Sequence, residues 1–528
     1  MTPPISRDAL IHHLAIPKLW IRNGGFYAIP WAEYSYYPMY INLIYLVCLY
    51  FNNDIAPKLI HLSFGLATGI SIYLYLKEKY NNNWGLLGMI IFITTPIIIW
   101  LSTAVYVDLG MTFFTTSSVL LWIKWRDDNY NQFKWFFLSA VCMGFAVGSK
   151  YNALIALMIV NLLLVFIYVQ DKNDQIASVR YGLFFFIITA IAASPWYLKN
   201  YYFTGNPFYP LFNSIFDSLH HLVIQNWGEC QAPVKSTSIG LFQKRELLYD
   251  ETLWQTFLIP IRMFFQGNDY GYRHFQGVLN PILIVFSPFI LIKNKNSKDI
   301  FIFISFTAIF IFIAFFLTDQ QVRYFLPVLP FLSIIAVIGI KNLIDWSNRE
   351  NSLLVFKKHT LRVMVFRNII FLTIIILLSF NFNYLKNRWA IINPFPYISG
   401  KETKNAFLKR HLSYFPTVEY INANLPDDAV VLTMLLGRRG YYLDRCYKNE
   451  SSFGMKILNC MVNFANDEER FNIYVKSLNV THLMMKTDLV NKYLNDNFSK
   501  QNIMTFINRV KQNWELVYQE KQYAVFEL

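Results

Sequence analysis

The feature that most constrains this chain is a series of apolar runs long enough to cross a membrane. A helix needs about 17–25 apolar residues to span the roughly 30 Å hydrocarbon core of a bilayer. The sequence contains ten such runs, at 56–76, 85–102, 107–125, 133–149, 151–169, 180–198, 277–292, 300–317, 324–342 and 366–384. We therefore predict a mainly α protein, a polytopic membrane bundle of about ten spans.

Composition excludes the soluble alternatives for a chain of 528 residues. Hydrophobic residues make up 55% and charged residues only 15%, whereas soluble domains carry about 25% charged residues. Too little polar surface remains to cover several soluble domains, and the apolar content excludes a disordered chain. The five Cys show no CxxC pair and no zinc-ligand spacing.

The basic residues predict which loops face the cytoplasm. Sixteen Lys and Arg lie in the loops 77–83, 124–134, 170–180, 293–298 and 341–367. The short loops between them hold only Lys150 and Arg323. By the positive-inside rule the basic loops are cytoplasmic and both chain ends lie outside. This placement explains much of the net charge of +14 without a nucleic-acid partner, which we do not expect.

Five segments follow from these spans. They are an outer first loop with interfacial helices (1–55), transmembrane spans (56–198), a long outer loop (199–276), further spans (277–384) and an outer domain (385–528). The outer domain is predicted to be a small α/β domain, because apolar strands such as AVVLTMLL and VTHLMMKT alternate with helical stretches and a hairpin ends the chain. It contains no phosphate-binding loop motif.

The first segment is unusual for its predicted side of the membrane. Residues 1–37 lack the basic and apolar regions of a signal peptide, although the charge rule places them outside. We therefore expect a further transmembrane helix to precede them. Residues 38–53 are apolar but short, and we interpret them as an interfacial helix. If they crossed the membrane, residues 1–37 would lie inside instead.

A few ionisable residues remain at the outer rim of the bundle. They are Asp8, Asp108, Lys150 and Arg323, with His12 one helical turn from Asp8 and Tyr106 beside Asp108. Ionisable groups at membrane depth are expensive to bury and mark functional sites. The two cations suit a phosphate or pyrophosphate, and an acid suits a general base.

Structural interpretations of the same residues stay open. In this interpretation Asp8 and Asp108 only stabilise helix N-termini with their negative charge. Lys150 and Arg323 are then interfacial side chains that reach the headgroups. The pair His12 and His13 would then be structural. No metal ligand set is visible at suitable spacing, so we expect no cofactor, although a divalent cation is not excluded.

At these residues the chain resembles the GT-C superfamily of glycosyltransferases that use polyprenyl-phosphate sugars, family 39 and its bacterial relatives in particular. Asp8 in PPISRDALIHHLAIPKL is similar to the acid of the family's first outer loop. Asp108 in YVDLGMTFF, Lys150 in AVGSKYNAL and Arg323 in QQVRYFLPVLP resemble later family segments. Two departures stand out: Ala9 replaces the second acid of the usual Asp-Glu pair, and Tyr36-Tyr37-Pro38 replaces a Lys-Pro-Pro-like segment.

The resemblance implies an inverting, metal-independent sugar transfer on the extracytoplasmic face of a bacterial inner membrane. Asp8 would be the general base, and Lys150 and Arg323 would bind the donor phosphate. Asp108, His12 and Tyr106 would position the acceptor or a cation. The implied partners are a polyprenyl-phosphate-linked sugar, membrane lipids and a lipid, glycan or protein acceptor.

Two other functions remain possible from the sequence. An envelope polysaccharide polymerase or ligase would use a polyprenyl-pyrophosphate donor. A transporter or flippase for a lipid-linked sugar would favour internal repeats and helices broken at the midplane, neither of which the sequence shows.

Overall fold

The computed structural model describes residues 2–216, 240–292, 297–349, 357–450 and 455–528. Its first part is a helical bundle, entered through an outer segment with a π-helical turn at Ala9–His13 and helix α1 at Ala15–Asn23. The next eight helices are α2 (Tyr40–Tyr50), α3 (Ala56–Lys79), α4 (Asn82–Thr94), α5 (Pro96–Ser102), α6 (Asp108–Asp127), α7 (Phe133–Val147), α8 (Ala153–Lys172) and α9 (Gln175–Thr204).

The second part of the bundle follows a stretch of short helical turns. These turns are Asn213–Phe216, Leu241–Tyr249, Leu253–Phe257, Ile259–Arg262, Tyr272–His274, Ile282–Val285 and Ser287–Ile292. Three long helices complete the bundle: α10 (Lys298–Leu317), α11 (Leu329–Arg349), which a 3₁₀ turn at Val322–Val328 introduces, and α12 (Lys357–Ile392). The predicted long outer loop 199–276 includes residues 217–239, which lie outside the described ranges.

Nine of the ten predicted apolar runs are largely helical, whereas in 277–292 residues 277–281 are not helical and only the short turns Ile282–Val285 and Ser287–Ile292 form. Not every helix, however, has the length and hydropathy of a span. Within the described ranges six helices do, and α4 with α5, bent by 66°, makes a seventh. Helix α6 is long enough, yet it carries buried Thr and Ser side chains because it packs inside the bundle between α3 and α7. Helix α7 and the segment Ile282–Ile292 are shorter than 18 residues. The bundle therefore combines long apolar helices with helices that are shorter or that carry buried polar side chains.

The apolar residues 38–53 form a short helix, as predicted. Helix α2 has 11 residues, which corresponds to about 16 Å at 1.5 Å per residue and is too short to cross a bilayer. Its Tyr45 is fully buried and its N-terminal backbone is tied to the end of α7, because the Tyr40 N–H donates to the Gly148 carbonyl. Helix α2 thus lies at the outer end of the bundle beside the first outer loop.

The chain ends in the predicted α/β domain. Its sheet has the order β2-β1-β3-β5-β4, with strands β1 (Val430–Met434), β2 (Cys446–Asn449), β3 (His482–Lys486), β4 (Glu515–Glu520) and β5 (Tyr523–Glu527). Strand β1 runs parallel to β2 and β3, and β4 with β5 forms the predicted C-terminal hairpin. Strand β2 was not predicted, because its polar sequence CYKN has no strand pattern.

Helices flank this sheet and connect it to the bundle. They are Phe395–Ile398, Lys404–His411, Phe415–Asn424, Lys456–Phe464, Glu468–Ser477, Thr487–Asn497 and Lys500–Asn513. One apolar cluster contains buried residues of the first outer loop, such as Leu10 and Trp20, together with Tyr441 and Val431 of the domain. The domain therefore packs directly on the segment that carries Asp8.

A close helix approach in the second half of the bundle gives a stability prediction. A methyl group added to Gly339 in α11 would overlap the carbonyl oxygen of Phe286, which precedes the turn Ser287–Ile292. We expect Gly339→Ala to destabilise the protein by about 1–3 kcal/mol, because the two backbones must separate. The midpoint of thermal unfolding in detergent measures this. Gly240→Ala is the control, since nothing lies within 4 Å of its added methyl; equal midpoints for the two variants would contradict the close packing.

Candidate active site

A cavity of about 1130 Å³ opens at one end of the helices, where α6, α8 and α11 begin. The candidate residues predicted from the sequence all line it, namely Asp8, His12, Tyr106, Asp108, Lys150 and Arg323. They come from four separate parts of the chain: the first outer loop, the start of α6, the connection between α7 and α8, and the turn before α11. The bundle thus brings into one cavity groups that are up to 315 residues apart in sequence.

Asp8 and Arg323 form the first of two ion pairs in this cavity. Asp8 stands at the N-terminus of the π-helical turn, and Nη1 of Arg323 donates to its Oδ2. Burial acts to raise the pKa of Asp8, but the cation of Arg323, with smaller effects from His12 and Lys150, lowers it to about 2. At neutral pH Asp8 is therefore a carboxylate whose charge is held by Arg323.

Asp108 and Lys150 form the second ion pair. Asp108 is the first residue of α6 and is 1% exposed, and the Lys150 ammonium lies 2.5 Å from its Oδ1. The other carboxylate oxygen, Oδ2, has no hydrogen-bond partner among the described residues. Burial lowers the pKa of Lys150, and Asp108 partly offsets this effect. Both cations predicted to bind phosphate are thus held by acids in the absence of substrate.

His12 lies one turn after Asp8 and faces the same cavity. Its ring stacks on that of Tyr34, with centroids 4.7 Å apart, and its Nδ1 is buried without a hydrogen-bond partner in the described structure. Burial lowers the pKa of His12 to about 4, so the imidazole is neutral at pH 7. His13 has a structural role instead, because its ring and carbonyl accept from the Asn42 amide at 3.0 and 3.1 Å.

Tyr106 contacts both partners of the first ion pair. Its hydroxyl lies near the backbone of Asp8, and its ring centroid is 5.7 Å from the Arg323 guanidinium carbon. The Tyr45 hydroxyl donates to the Tyr106 carbonyl at 2.6 Å, which fixes the loop before α6. Tyr106 is therefore placed to orient Asp8 and Arg323.

Several aromatic residues of the site were not predicted. Tyr324 lies between the two ion pairs, with its ring 5.0 Å from the Lys150 ammonium and 5.2 Å from the Arg323 guanidinium. Tyr34 and Tyr37 also line the cavity, and their rings pack edge to face. The signals were present: Tyr324 adjoins Arg323, and the two others belong to the tyrosine-rich stretch EYSYYP.

A second, apolar groove lies between α8 and α9. The groove has a volume of about 550 Å³, and its wall contains Leu157, Met158, Leu162, Val179, Leu183 and Phe186. Leu154, at the start of α8, lines both the groove and the cavity. A charged cavity and an apolar groove therefore share a wall residue that is close in sequence to Lys150.

In the part of the chain that the structure describes, no group of three His, Cys, Asp or Glu side chains is arranged to hold a metal ion.

Residues 30–207 match the family model of the dolichyl-phosphate-mannose-protein mannosyltransferases. The matched region includes Asp108 and Lys150 but not Asp8 or Arg323. None of the curated protein sequences matches this chain.

Solved structures share the fold over almost the whole chain. ArnT from Cupriavidus metallidurans, bound to undecaprenyl phosphate, matches with 11% identity and a TM-score of 0.55, over 99% of this chain and 94% of that chain. The oligosaccharyltransferase AglB from Archaeoglobus fulgidus, in complex with an inhibitory peptide and a dolichol-phosphate, matches with 12% identity and a TM-score of 0.55, over 92% and 66%. These matches and the family match confirm the predicted fold class, the resemblance to GT-C membrane glycosyltransferases and the enzyme class.

Proposed function

We propose, from the GT-C fold and from the cavity at its outer end, that this protein transfers a sugar from a polyprenyl-phosphate donor to an acceptor hydroxyl. The observation that carries the proposal is the meeting of Asp8, Asp108, Lys150 and Arg323 in one cavity, which shares the wall residue Leu154 with an apolar groove. A donor with an anionic phosphate and a long apolar tail fits this combination. The ArnT and AglB structures bind undecaprenyl phosphate and dolichol-phosphate, which are carriers of this class.

The transfer is a single in-line displacement with inversion. Asp8 accepts the proton of the acceptor hydroxyl, whose oxygen forms a bond to the anomeric carbon as the bond from that carbon to the phosphate oxygen breaks. The polyprenyl phosphate leaves with the electron pair of the broken bond. Its growing negative charge is stabilised by Lys150 and Arg323, which act most strongly because they lie in a buried site.

The donor phosphate also prepares Asp8 for its role. With a pKa of about 2, Asp8 is a weak base while Arg323 holds its charge. A phosphate that binds Arg323 competes with Asp8 for the guanidinium, and the pKa of the carboxylate then rises. Donor binding thus strengthens the base that activates the acceptor.

The remaining predicted residues position the reactants. Lys150 is held by Asp108 beside the start of α8, whose Leu154 lines the apolar groove. The unpartnered Oδ2 of Asp108 and Nδ1 of His12 are available to an acceptor hydroxyl or, at Asp108, to a cation. Tyr106 orients Asp8, and the groove between α8 and α9 receives the first prenyl units of the donor.

The membrane side follows from the charge distribution. Basic residues cluster in the loops at the opposite end of the bundle from the cavity, as the cytoplasmic side requires. We place the cavity and the C-terminal domain on the extracytoplasmic face of a bacterial inner membrane. The acceptor on that face is a lipid, a glycan or a protein.

A membrane assay with a panel of radiolabelled polyprenyl-phosphate sugars tests the function. We expect membranes that contain this protein to transfer label covalently from at least one donor, and membranes with Asp8→Asn protein to transfer none. Covalent transfer from polyprenyl-pyrophosphate donors alone would favour a polymerase or ligase. Movement of labelled lipid across the bilayer without covalent transfer would favour a flippase, and either result would contradict the proposal.

A further inference from the structure

A turn of the C-terminal domain places an arginine beside the active site. After β1 the chain forms the turn Gly437-Arg438-Arg439-Gly440, in which Gly437 and Arg438 have φ values of +66° and +60°. The left-handed region is uncommon for a long side chain and persists where the surroundings impose it. The backbone of the turn is therefore held by its surroundings, which fixes the point from which the Arg438 side chain extends.

Hydrogen bonds fix this turn against the segment that carries Asp8. The Tyr441 N–H donates to the Leu10 carbonyl at 3.3 Å, and the Tyr442 hydroxyl donates to the Pro4 carbonyl at 2.7 Å. These two acceptors flank Asp8 in the sequence. Lys18 adds bonds from its ammonium to the carbonyls of Tyr441 and Leu443, at 2.8 and 3.2 Å. The distance between the turn and Asp8 is thus set by contacts on both sides of Asp8.

Arg438 reaches the aromatic wall of the cavity. Its guanidinium carbon is 5.5 Å from the ring centroid of Tyr34, the ring on which His12 stacks. Tyr34 and Tyr37 line the cavity, and Arg438 contacts this wall through the Tyr34 ring. A guanidinium beside aromatic rings is a suitable surface for a sugar that carries a negative charge.

The Arg438 guanidinium lies over the Tyr34 ring and has no acidic partner among the described residues. It makes no ion pair and no side-chain hydrogen bond with any residue in the described ranges, in contrast to Lys150 and Arg323, which are each held by an acid. Arg438 is only partly buried, and its side chain carries five N–H donors. A guanidinium without an acidic partner in the described ranges is available to an anionic ligand.

We propose that Arg438 forms an acceptor subsite that binds an anionic group, a phosphate or a carboxylate, on the sugar-accepting molecule. The proposal rests on the transfer function proposed above and adds the charge of the acceptor. The subsite is separate from the donor phosphate site because Tyr34 and His12 lie between Arg438 and Asp8. The acceptor anion holds the molecule at Arg438 while its hydroxyl reaches Asp8.

Binding of simple sugars to the purified full-length protein tests this subsite without any transfer. The probes are glucose 6-phosphate, glucuronate and neutral glucose, and saturation-transfer NMR measures their dissociation constants with undecaprenyl phosphate present in excess, so that the donor phosphate site is occupied. We expect at least one charged probe to bind about tenfold more tightly than glucose. The probe that does so, phosphate or carboxylate, identifies the acceptor group.

Four variants locate the binding. Arg438→Ala is expected to remove the preference for the charged probe, and Arg438→Lys to restore part of it. Arg470→Ala is the matched control, because Arg470 also lies over a ring, Phe464, at 4.2 Å, on another part of the same domain. Arg323→Gln is expected to keep the preference, since it changes the donor site.

The outcomes separate this subsite from the transfer function. A preference that survives Arg438→Ala, or no preference in the unaltered protein, would overturn the subsite even if sugar transfer occurs. A preference lost in Arg438→Ala alone would support the subsite even if no donor in the panel is used. In a working transfer assay, Arg438→Ala should raise the acceptor KM about tenfold and leave the donor KM unchanged.

Discussion

Replacement of Asp8 by Asn is expected to reduce sugar transfer by at least about 10³-fold. Asn keeps the shape of the side chain but cannot take the proton of the acceptor hydroxyl, and a positioned general base contributes about 10²–10⁴-fold. The fold should persist, because Asp8 is an N-terminal residue of its turn and caps no backbone group with its side chain. Transfer rates at saturating donor, with protein amounts matched, measure the effect.

The control for this variant is Asp54→Asn. Asp54 is also an acid in an ion pair, with Lys404 at 2.7 Å, but it does not line the cavity. It should retain nearly full transfer. If Asp8→Asn instead transferred at a rate close to that of the unaltered protein, Asp8 would not be the base, and the neutral His12, whose Nδ1 has no partner among the described residues, would be the next candidate to replace.

Replacement of Arg323 by Gln is expected to have the second largest effect, a loss of about 10²–10³-fold in kcat/KM. The variant loses a cation that stabilises the leaving phosphate, and removal of one such group from a preorganised site costs about this much. Steady-state kinetics with varied donor concentration measures the loss. Arg410→Gln, which changes an arginine paired with Glu402 in the outer domain, is the control.

The same variant changes the pH dependence in a defined direction. Asp8 must be ionised to act as a base, so activity is present above its pKa and is lost as the pH falls through it. In the unaltered protein this pKa is about 2, below the ordinary 3.8, because Arg323 more than offsets the effect of burial. Without Arg323, less opposes the effect of burial, so the pKa of Asp8 rises. The acidic limb of the plot of log kcat/KM against pH should therefore move to higher pH. An acidic limb that stays in place would show that Arg323 does not control Asp8.

Much of the fold was predictable because membrane helices and sheet strands carry strong one-dimensional signals. The ten apolar runs, the short helix at 40–50 and the C-terminal hairpin all follow from hydropathy and its period. The polar strand β2 was missed, since it owes its conformation to pairing with β1. Helix α6 differs from a simple span because its hydroxyl-bearing face is buried by α3 and α7, a contact that no local pattern encodes.

The site was predictable in its members but not in its pairing. Asp8, Asp108, Lys150 and Arg323 stand out in the sequence because charge is rare in a membrane bundle. Which cation meets which acid depends on how the first outer loop, α6 and the turn before α11 approach one another. The structure pairs Asp8 with Arg323 and Asp108 with Lys150, and this pairing determines the low pKa of Asp8.

Sequence alone thus determined the class of the molecule, a polytopic membrane protein with an outer α/β domain, and the few charged residues at its outer rim. It could do so because the bilayer imposes length and polarity on each segment separately. Tertiary structure alone decided that these charges form two ion pairs in one cavity, that Leu154 lines both this cavity and an apolar groove, and that Arg438 of the last domain stands beside Tyr34 of the first loop. These relations depend on contacts between residues hundreds of positions apart, whose geometry only the packed chain defines.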